Sequence, residues 1–376
     1  MFSLYIHVPF CATRCVYCDF FSNTDTRYKE PYLRAIEKEM ELRGEYIDDD
    51  TLETIYLGGG TPSRLSGNDL ERIFNAISRR FSIAEGAEIT LEANPDDIRP
   101  DYLSALRDLP INRISMGIQS FRPEDLRLLN RRHDREQAIR AVELCQAHGF
   151  TNLSIDLIYG LPGQTPEAWE ENLRQAIRLG TPHLSAYHLT YEEGTALYKR
   201  LQAGQVEPVD EEVSVTLFHI LTERMAEAGF QHYEISNFAR PGFHARHNSA
   251  YWTGKPYLGL GPSAHSYNRT SREWNVASLP LYLRGIESGQ PATERETLDL
   301  STRYNDFIIT GLRTMWGISL DKLRTEFGEA LLAYCQKQAR PYIQRGLLRQ
   351  ENDRLALSQA GILLSDGIMS ELMYIK

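Results

Sequence analysis

Short apolar runs alternate with longer amphipathic stretches through the first half of the chain. The runs at 3–8, 54–57, 88–93, 113–118, 153–158 and 184–189 predict strands. Between them, apolar positions recur at helical spacing over 28–43, 67–80, 136–148 and 165–179. Alternation of strand and helix implies parallel pairing through right-handed crossovers. Six such units are too few to close an eight-stranded barrel and predict an open, partial (βα)6 barrel of the α/β class.

A further helical stretch, 211–229, ends this regime. Residues 236–290 are rich in Gly, Pro, His, Tyr and Trp without clear periodicity, which predicts a connecting segment. From about Ser301 the helical period returns. Two short runs, Gly346-Leu347-Leu348-Arg349 and Arg354-Leu355-Ala356-Leu357, then precede a last helix over 358–373. That order predicts a helical, winged-helix-like C-terminal domain. The texture divides the chain into 1–235, 236–290 and 291–376.

Of the 376 residues, 42% are apolar and 24% charged, values ordinary for a soluble protein. The net charge of −10 argues against nucleic acid as a partner, winged helix notwithstanding, because such binding needs a basic footprint. No uninterrupted apolar run reaches membrane-spanning length. The first strand begins almost at Met1, so the expectation is a cytoplasmic protein without a signal peptide. Composition leaves peripheral membrane contact and homodimerisation open.

Cysteine usage changes the picture. Cys11, Cys15 and Cys18 form a C-x3-C-x2-C run directly after the first strand. Three thiolates on one loop can hold three irons of a [4Fe–4S] cluster and leave the fourth iron open to a small molecule. Zinc usually takes four ligands in pairs, and no second C-x2-C pair is present. A disulfide framework suits short, cysteine-rich secreted chains, which this is not. With Tyr17 before the third cysteine, the run resembles the signature of radical S-adenosylmethionine (SAM) proteins. Cys145 and Cys335 lie in helical stretches and read as small buried hydrophobes.

Polar and glycine positions gather where the predicted strands end. Gly58-Gly59-Gly60-Thr61-Pro62 follows the second strand, Glu92 ends the third and Gln119 the fourth. Arg131 follows the next helix, and Asp156 lies in the fifth strand run. Alone, each is an ordinary loop residue. Together, at the C-terminal ends of successive parallel strands, they predict one ligand pocket.

Leu4-Tyr5-Ile6-His7-Val8-Pro9-Phe10-Cys11, Gly58–Pro62, the 113–121 stretch, Asp156-Leu157-Ile158-Tyr159-Gly160-Leu161-Pro162 and the closing Leu364-Ser365-Asp366-Gly367-Ile368 carry a family resemblance. The chain resembles oxygen-independent coproporphyrinogen III oxidases and their relatives over nearly its whole length. The resemblance implies a radical-SAM partial barrel. It implies SAM contacts at Tyr5, Tyr17, Gly59, Gly60, Thr61, Glu92, Gln119, Arg131 and Asp156, and an electron donor for the cluster.

Within that family the chain departs from the oxidases. They place a fourth cysteine where Phe20 stands, and they extend further before the first strand. Arg246-His247-Asn248-Ser249-Ala250-Tyr251-Trp252 instead matches the H-N-x-x-Y-W motif of HemW-type heme chaperones. That likeness implies heme binding and delivery to respiratory cytochromes, with radical chemistry weak or absent. An oxidase, or a radical SAM enzyme that modifies heme, is the alternative. The expected heme site has His247 on the iron, or His244 in its place. Tyr251 and Trp252 offer flat faces to the porphyrin, and Arg240, Arg246 and Lys255 pair with propionates.

Overall fold

The structure is a computed structural model and describes residues 1–375. Six strands pair in parallel and in sequence order: β1 (Phe2–Val8), β2 (Thr51–Gly59), β3 (Ser82–Ala93), β4 (Arg113–Gln119), β5 (Leu153–Tyr159) and β6 (His183–His188). Every apolar run that predicted a strand lies in this set. β1 is buried at nearly every position, as a parallel strand covered on both faces must be.

The crossover helices form where their apolar stripe and caps coincide. In Gly67–Arg80, the Ser66 side chain and Asp69 make a capping box, and Leu70, Ile73, Phe74 and Ile77 are buried along one face. Helices Lys29–Arg43, Arg135–Ala147 and Pro166–Arg178 cover the outside of the sheet in the same way.

Residues 236–290 carry far more order than an aperiodic connection. β7 (Gln231–Glu234) and β8 (Asn237–Ala239) form a hairpin that extends the sheet beyond β6. β9 (Tyr257–Leu260) runs parallel to β1 on the other side. β10 (His265–Tyr267), β11 (Ser271–Asn275) and β12 (Thr293–Thr297) follow it antiparallel. One 12-stranded sheet results, and its end strands, β12 and β7, are not neighbours. The barrel is open.

A buried charge network pins this extension to the first helix. Arg43 lies 3.1 Å from Glu39 and 2.9 Å from Glu273, and also donates to Ser266 and Asn275. Glu39 in turn accepts from Tyr282 and the Gly261 backbone. A buried ion pair needs its remaining lone pairs and protons satisfied, and here all but the Arg43 Nε–H find partners.

The C-terminal domain has its own core, around Tyr304, Ile308, Leu323, Leu332, Cys335 and Leu372. Helix Leu300–Leu312 opens it. β13 (Ile318–Ser319), β14 (Leu348–Glu351) and β15 (Arg354–Leu357) form an antiparallel sheet in the order β13-β15-β14, giving the wing. The domain grips both sides of the open barrel. Arg313 lies 2.9 Å from Glu234 at β7, with Met315 N bonded to Tyr233 O, while Asp306 pairs with Arg272 of β11. Helix Leu300–Leu312 and the turn after it therefore span the gap the barrel leaves. Among the described residues, no helix is long and apolar enough to cross a membrane.

Candidate functional site

The cysteine loop is tied off at its base. Asn23 N donates to Pro9 O at 2.6 Å and Cys11 N to Asn23 O at 3.0 Å, which closes residues 11–22 into a loop. All three thiols are half-buried. Burial and the neighbouring thiols push Cys18 up to about 11, and burial foremost raises Cys11 as well. Burial thus disfavours the Cys11 and Cys18 thiolates, and iron would supply the cation that stabilises them. Among the described residues, no three His, Cys, Asp or Glu side chains converge on a single metal ion. Zinc requires such convergence, whereas a cubane takes each thiolate on a different iron. The donor set fits the cluster.

Two of the cysteines are joined through the ends of successive strands. Thr61 Oγ1 lies 3.5 Å from Cys11 Sγ and 3.3 Å from Asn94 Nδ2. Asn94 Oδ1 accepts from Arg131 at 2.7 Å, and another nitrogen of that guanidinium lies 3.3 Å from Cys15 Sγ. Gln119, at a left-handed φ of 72°, joins this group: a Cβ added at Gly117 would meet Gln119, Arg131 and Asn94 together. A non-glycine residue in that region of backbone space is uncommon and clusters at functional sites. The sequence reading missed Asn94, although it stands two residues past Glu92 at the same strand end.

Deeper in the barrel, Glu92 accepts from Tyr56 at 2.7 Å and from Gly59 N at 3.1 Å. Burial raises its carboxyl to about 7, with some help from Asp156, and burial raises Asp156 itself to about 6. Arg113, fully buried below them, opposes both shifts. Tyr5 on β1 and Tyr17 on the cysteine loop are half-buried.

The glycines are required for a reason other than ligand space. A Cβ on Gly60 would lie 2.8 Å from Val8 O and Pro9 C. Gly59, at φ +106°, would meet the His7 ring at 2.6 Å. What needs glycine here is the approach of β1 and the cysteine loop to the end of β2.

The motif at 246–252 folds as a helix, Arg246–Trp252, set against the N-terminal halves of β1–β3. The buried Glu88 carboxylate caps it, accepting from Arg246 N and His247 N at 3.0 and 2.9 Å. His247 is 1% exposed and stacks on Tyr56. Its Nδ1 lies 2.8 Å from Thr54 Oγ1 and its Nε2 2.8 Å from the Tyr251 hydroxyl. Because Thr54 donates to Ser3, Nδ1 carries the proton and Nε2 accepts from Tyr251. The lone pair an iron would need is taken. As placed, His247 is held at both ring nitrogens, and binding iron would require the Tyr251 bond to break.

The other expected heme contacts divide. Tyr251 and Trp252 line the large cavity described next, and the Trp252 indole N–H has no partner. His244 bonds Gln231 and lies outside that cavity. Lys255 and Arg246 both pair with Glu53, at 2.6 and 3.5 Å, and Arg240 covers the Phe230 ring. Of these three cations only Lys255 reaches the cavity wall.

The cavity, of about 1320 Å3, lies between the barrel mouth, β9–β11 and the C-terminal domain. Its size exceeds the about 300–1,000 Å3 common for small-molecule pockets. Tyr5 and the cysteine loop form one wall. Phe20, 62% exposed, stands on that loop and faces the space. The expected SAM and heme sites therefore share a wall at Tyr5.

Similarity to known proteins runs along the whole chain. Residues 5–176 match the Radical SAM superfamily and residues 298–364 the HemN C-terminal domain. A heme chaperone HemW of Mycobacterium tuberculosis is 35% identical, covering 99% of this chain and 95% of the relative. The heme chaperone HemW of Escherichia coli (strain K12) is 38% identical over 98% and 97%. Among solved structures, the coproporphyrinogen III oxidase HemN of Escherichia coli, a radical SAM enzyme, superposes with a TM-score of 0.86 at 25% identity. That match covers 99% of this chain and 89% of the oxidase.

Proposed function

The chain belongs to the heme chaperone HemW family, and from that premise we propose that it binds heme in the interdomain cavity and delivers it to respiratory cytochromes. The observation that carries the reading is the cavity itself. It is walled by Tyr251, Trp252, Trp316 and Phe307, whose rings suit a planar macrocycle, and by cations suited to its carboxylates.

The Radical SAM match implies SAM and a [4Fe–4S] cluster on Cys11, Cys15 and Cys18. When bound, the cluster supplies an open iron for SAM and an electron for its sulfonium, drawn from an outside donor. The chain's own part is orientation. Arg131, Asn94 and Thr61 fix the first two thiols against the strand ends, and Gln119 is held over the same spot. Glu92 and Asp156 are half-buried acceptors for SAM hydroxyls or its cationic groups. Tyr5 stands between this pocket and the heme cavity, a position from which occupancy of one site changes the other. We place the protein in the cytoplasm, able to touch a membrane surface and to self-associate while handing over its cargo.

Oxidase activity is the runner-up. Phe20 speaks against it, because a bulky apolar side chain stands at the cavity wall where the oxidases carry a cysteine. The test is anaerobic. Reconstituted protein should take up one heme per chain and pass it to an apo-cytochrome, and should leave coproporphyrinogen III unchanged with SAM and reductant. Decarboxylation without heme uptake would reverse the assignment.

A further inference from the structure

With His247 satisfied on both nitrogens, a heme in this cavity lacks an evident axial ligand. Two histidines line the space, His7 and His265. His7 is spent: Nδ1 lies 3.1 Å from the Tyr5 hydroxyl and Nε2 2.8 Å from Phe21 O. His265 is different. It is exposed to the cavity, its ring lies along Trp274 at 5.7 Å, and neither ring nitrogen has a protein hydrogen bond.

The strand that carries it is held from behind. Side chains alternate across β10, so His265 and Tyr267 face the cavity while Ser266 turns into the buried Arg43 network. The imidazole is thus presented from a fixed backbone, with Trp274 limiting its rotation. Beside it lies a basic group. Arg269, Arg272 and Arg303 line the same cavity as Tyr267 and His265. Arg272 is paired with Asp306 and Glu296, but Arg269 and Arg303 have no carboxylate partner among the described residues. Unpaired guanidinium groups facing a cavity suit a dianionic ligand.

Resting on the heme reading above, we infer that His265 is the protein's ligand to heme iron and that Arg269 and Arg303 take the propionates. The imidazole, a neutral donor in this setting, binds iron through a free ring nitrogen. The remaining face of the macrocycle is then covered by aromatic side chains of the C-terminal domain.

The test is a hemin titration of reconstituted wild type, His265→Ala and His265→Met, read by absorption and EPR, with cluster absorbance reporting the fold. Losing a direct ligand should cost at least the about 10–100-fold that losing a ligand's supporting contact costs. His265→Ala should also shift the Soret band, added imidazole should restore it, and His265→Met should give a distinct ligand signature. Arg269→Gln with Arg303→Gln should weaken binding without moving the band. If wild type binds heme and both His265 variants match it in affinity and spectrum, the ligand lies elsewhere and only this assignment falls. If wild type itself binds no heme, the chaperone reading falls with it.

Discussion

The Tyr251 hydroxyl and His247 Nε2 are hydrogen-bonded at 2.8 Å, inside the barrel and under the cavity floor. Two members of the H-N-x-x-Y-W motif therefore serve each other, and only the aromatic end of the motif reaches the cavity. Replacing His247 by Ala leaves the Thr54 and Tyr251 hydroxyls without their partner and should cost about 1–3 kcal/mol in each unsatisfied case. The expected outcome is a lower midpoint in chemical denaturation, with the heme absorption maximum unmoved. A shifted heme spectrum at unchanged stability would make His247 the ligand after all.

The two half-buried carboxyls give the apoprotein a pH signature. Glu92 titrates near 7 in the folded chain against an ordinary 4.5, and Asp156 near 6 against 3.8, burial being the main cause in both. Raised values mean the folded state holds protons that the unfolded chain has released. The contribution is full below the ordinary values and is lost as pH rises through about 6 to 7. Glu92→Gln, which cannot ionise, should gain on wild type by up to about 3 kcal/mol between about pH 5 and pH 8. His247, held down to about 3 by burial, works in the opposite sense, its contribution being full above the ordinary 6.5 and lost as pH falls from there through about 3. Comparing variant with wild type at each pH cancels that background.

Gly60→Ala places a methyl group 2.8 Å from two backbone atoms of the Val8–Pro9 link. No side chain can move aside, so the cysteine loop must shift. We expect lower iron content after reconstitution and a weakened SAM response of the reduced cluster's EPR signal. Gly367→Ala, where a Cβ meets nothing and φ is not left-handed, controls for the substitution itself.

Arg131 puts a positive charge 3.3 Å from Cys15 Sγ. Removing it with Arg131→Met should move the cluster's midpoint potential to more negative values, since the reduced cluster carries the greater negative charge. Iron content should change little, because the thiolates themselves stay. Redox titration followed by EPR checks both, and a potential equal to wild type would remove Arg131 from the cluster's surroundings.

The barrel was legible because each of its strands is an apolar run of its own. Phe2–Val8 and Leu153–Tyr159 are nearly continuous in burial, and a capping box marks the start of Gly67–Arg80. β7–β12 were not, being three to five residues long, too short to establish a period. The cysteine and strand-end residues were read from spacing and resemblance, and Thr61, Gln119 and Arg131 do converge on the cysteine loop. The state of the histidine in the motif at 246–252 was not legible, for a physical reason. Whether an imidazole is free depends on Thr54, Tyr56 and Glu88, which lie more than a hundred residues away and meet it only in the fold. The same limit hid His265, since nothing local distinguishes an unbonded imidazole from a bonded one.

The central claim is that heme occupies the space between the open barrel and the C-terminal domain. Thr310, on helix Leu300–Leu312, lines that space with a small side chain. The most direct measurement is hemin titration of reconstituted wild type beside Thr310→Trp, which fills the cavity. The expected result is one heme per chain in wild type and a large loss in the variant, with cluster absorbance and unfolding midpoint retained. Equal heme uptake by the two, at equal affinity, would place heme somewhere else and contradict the account.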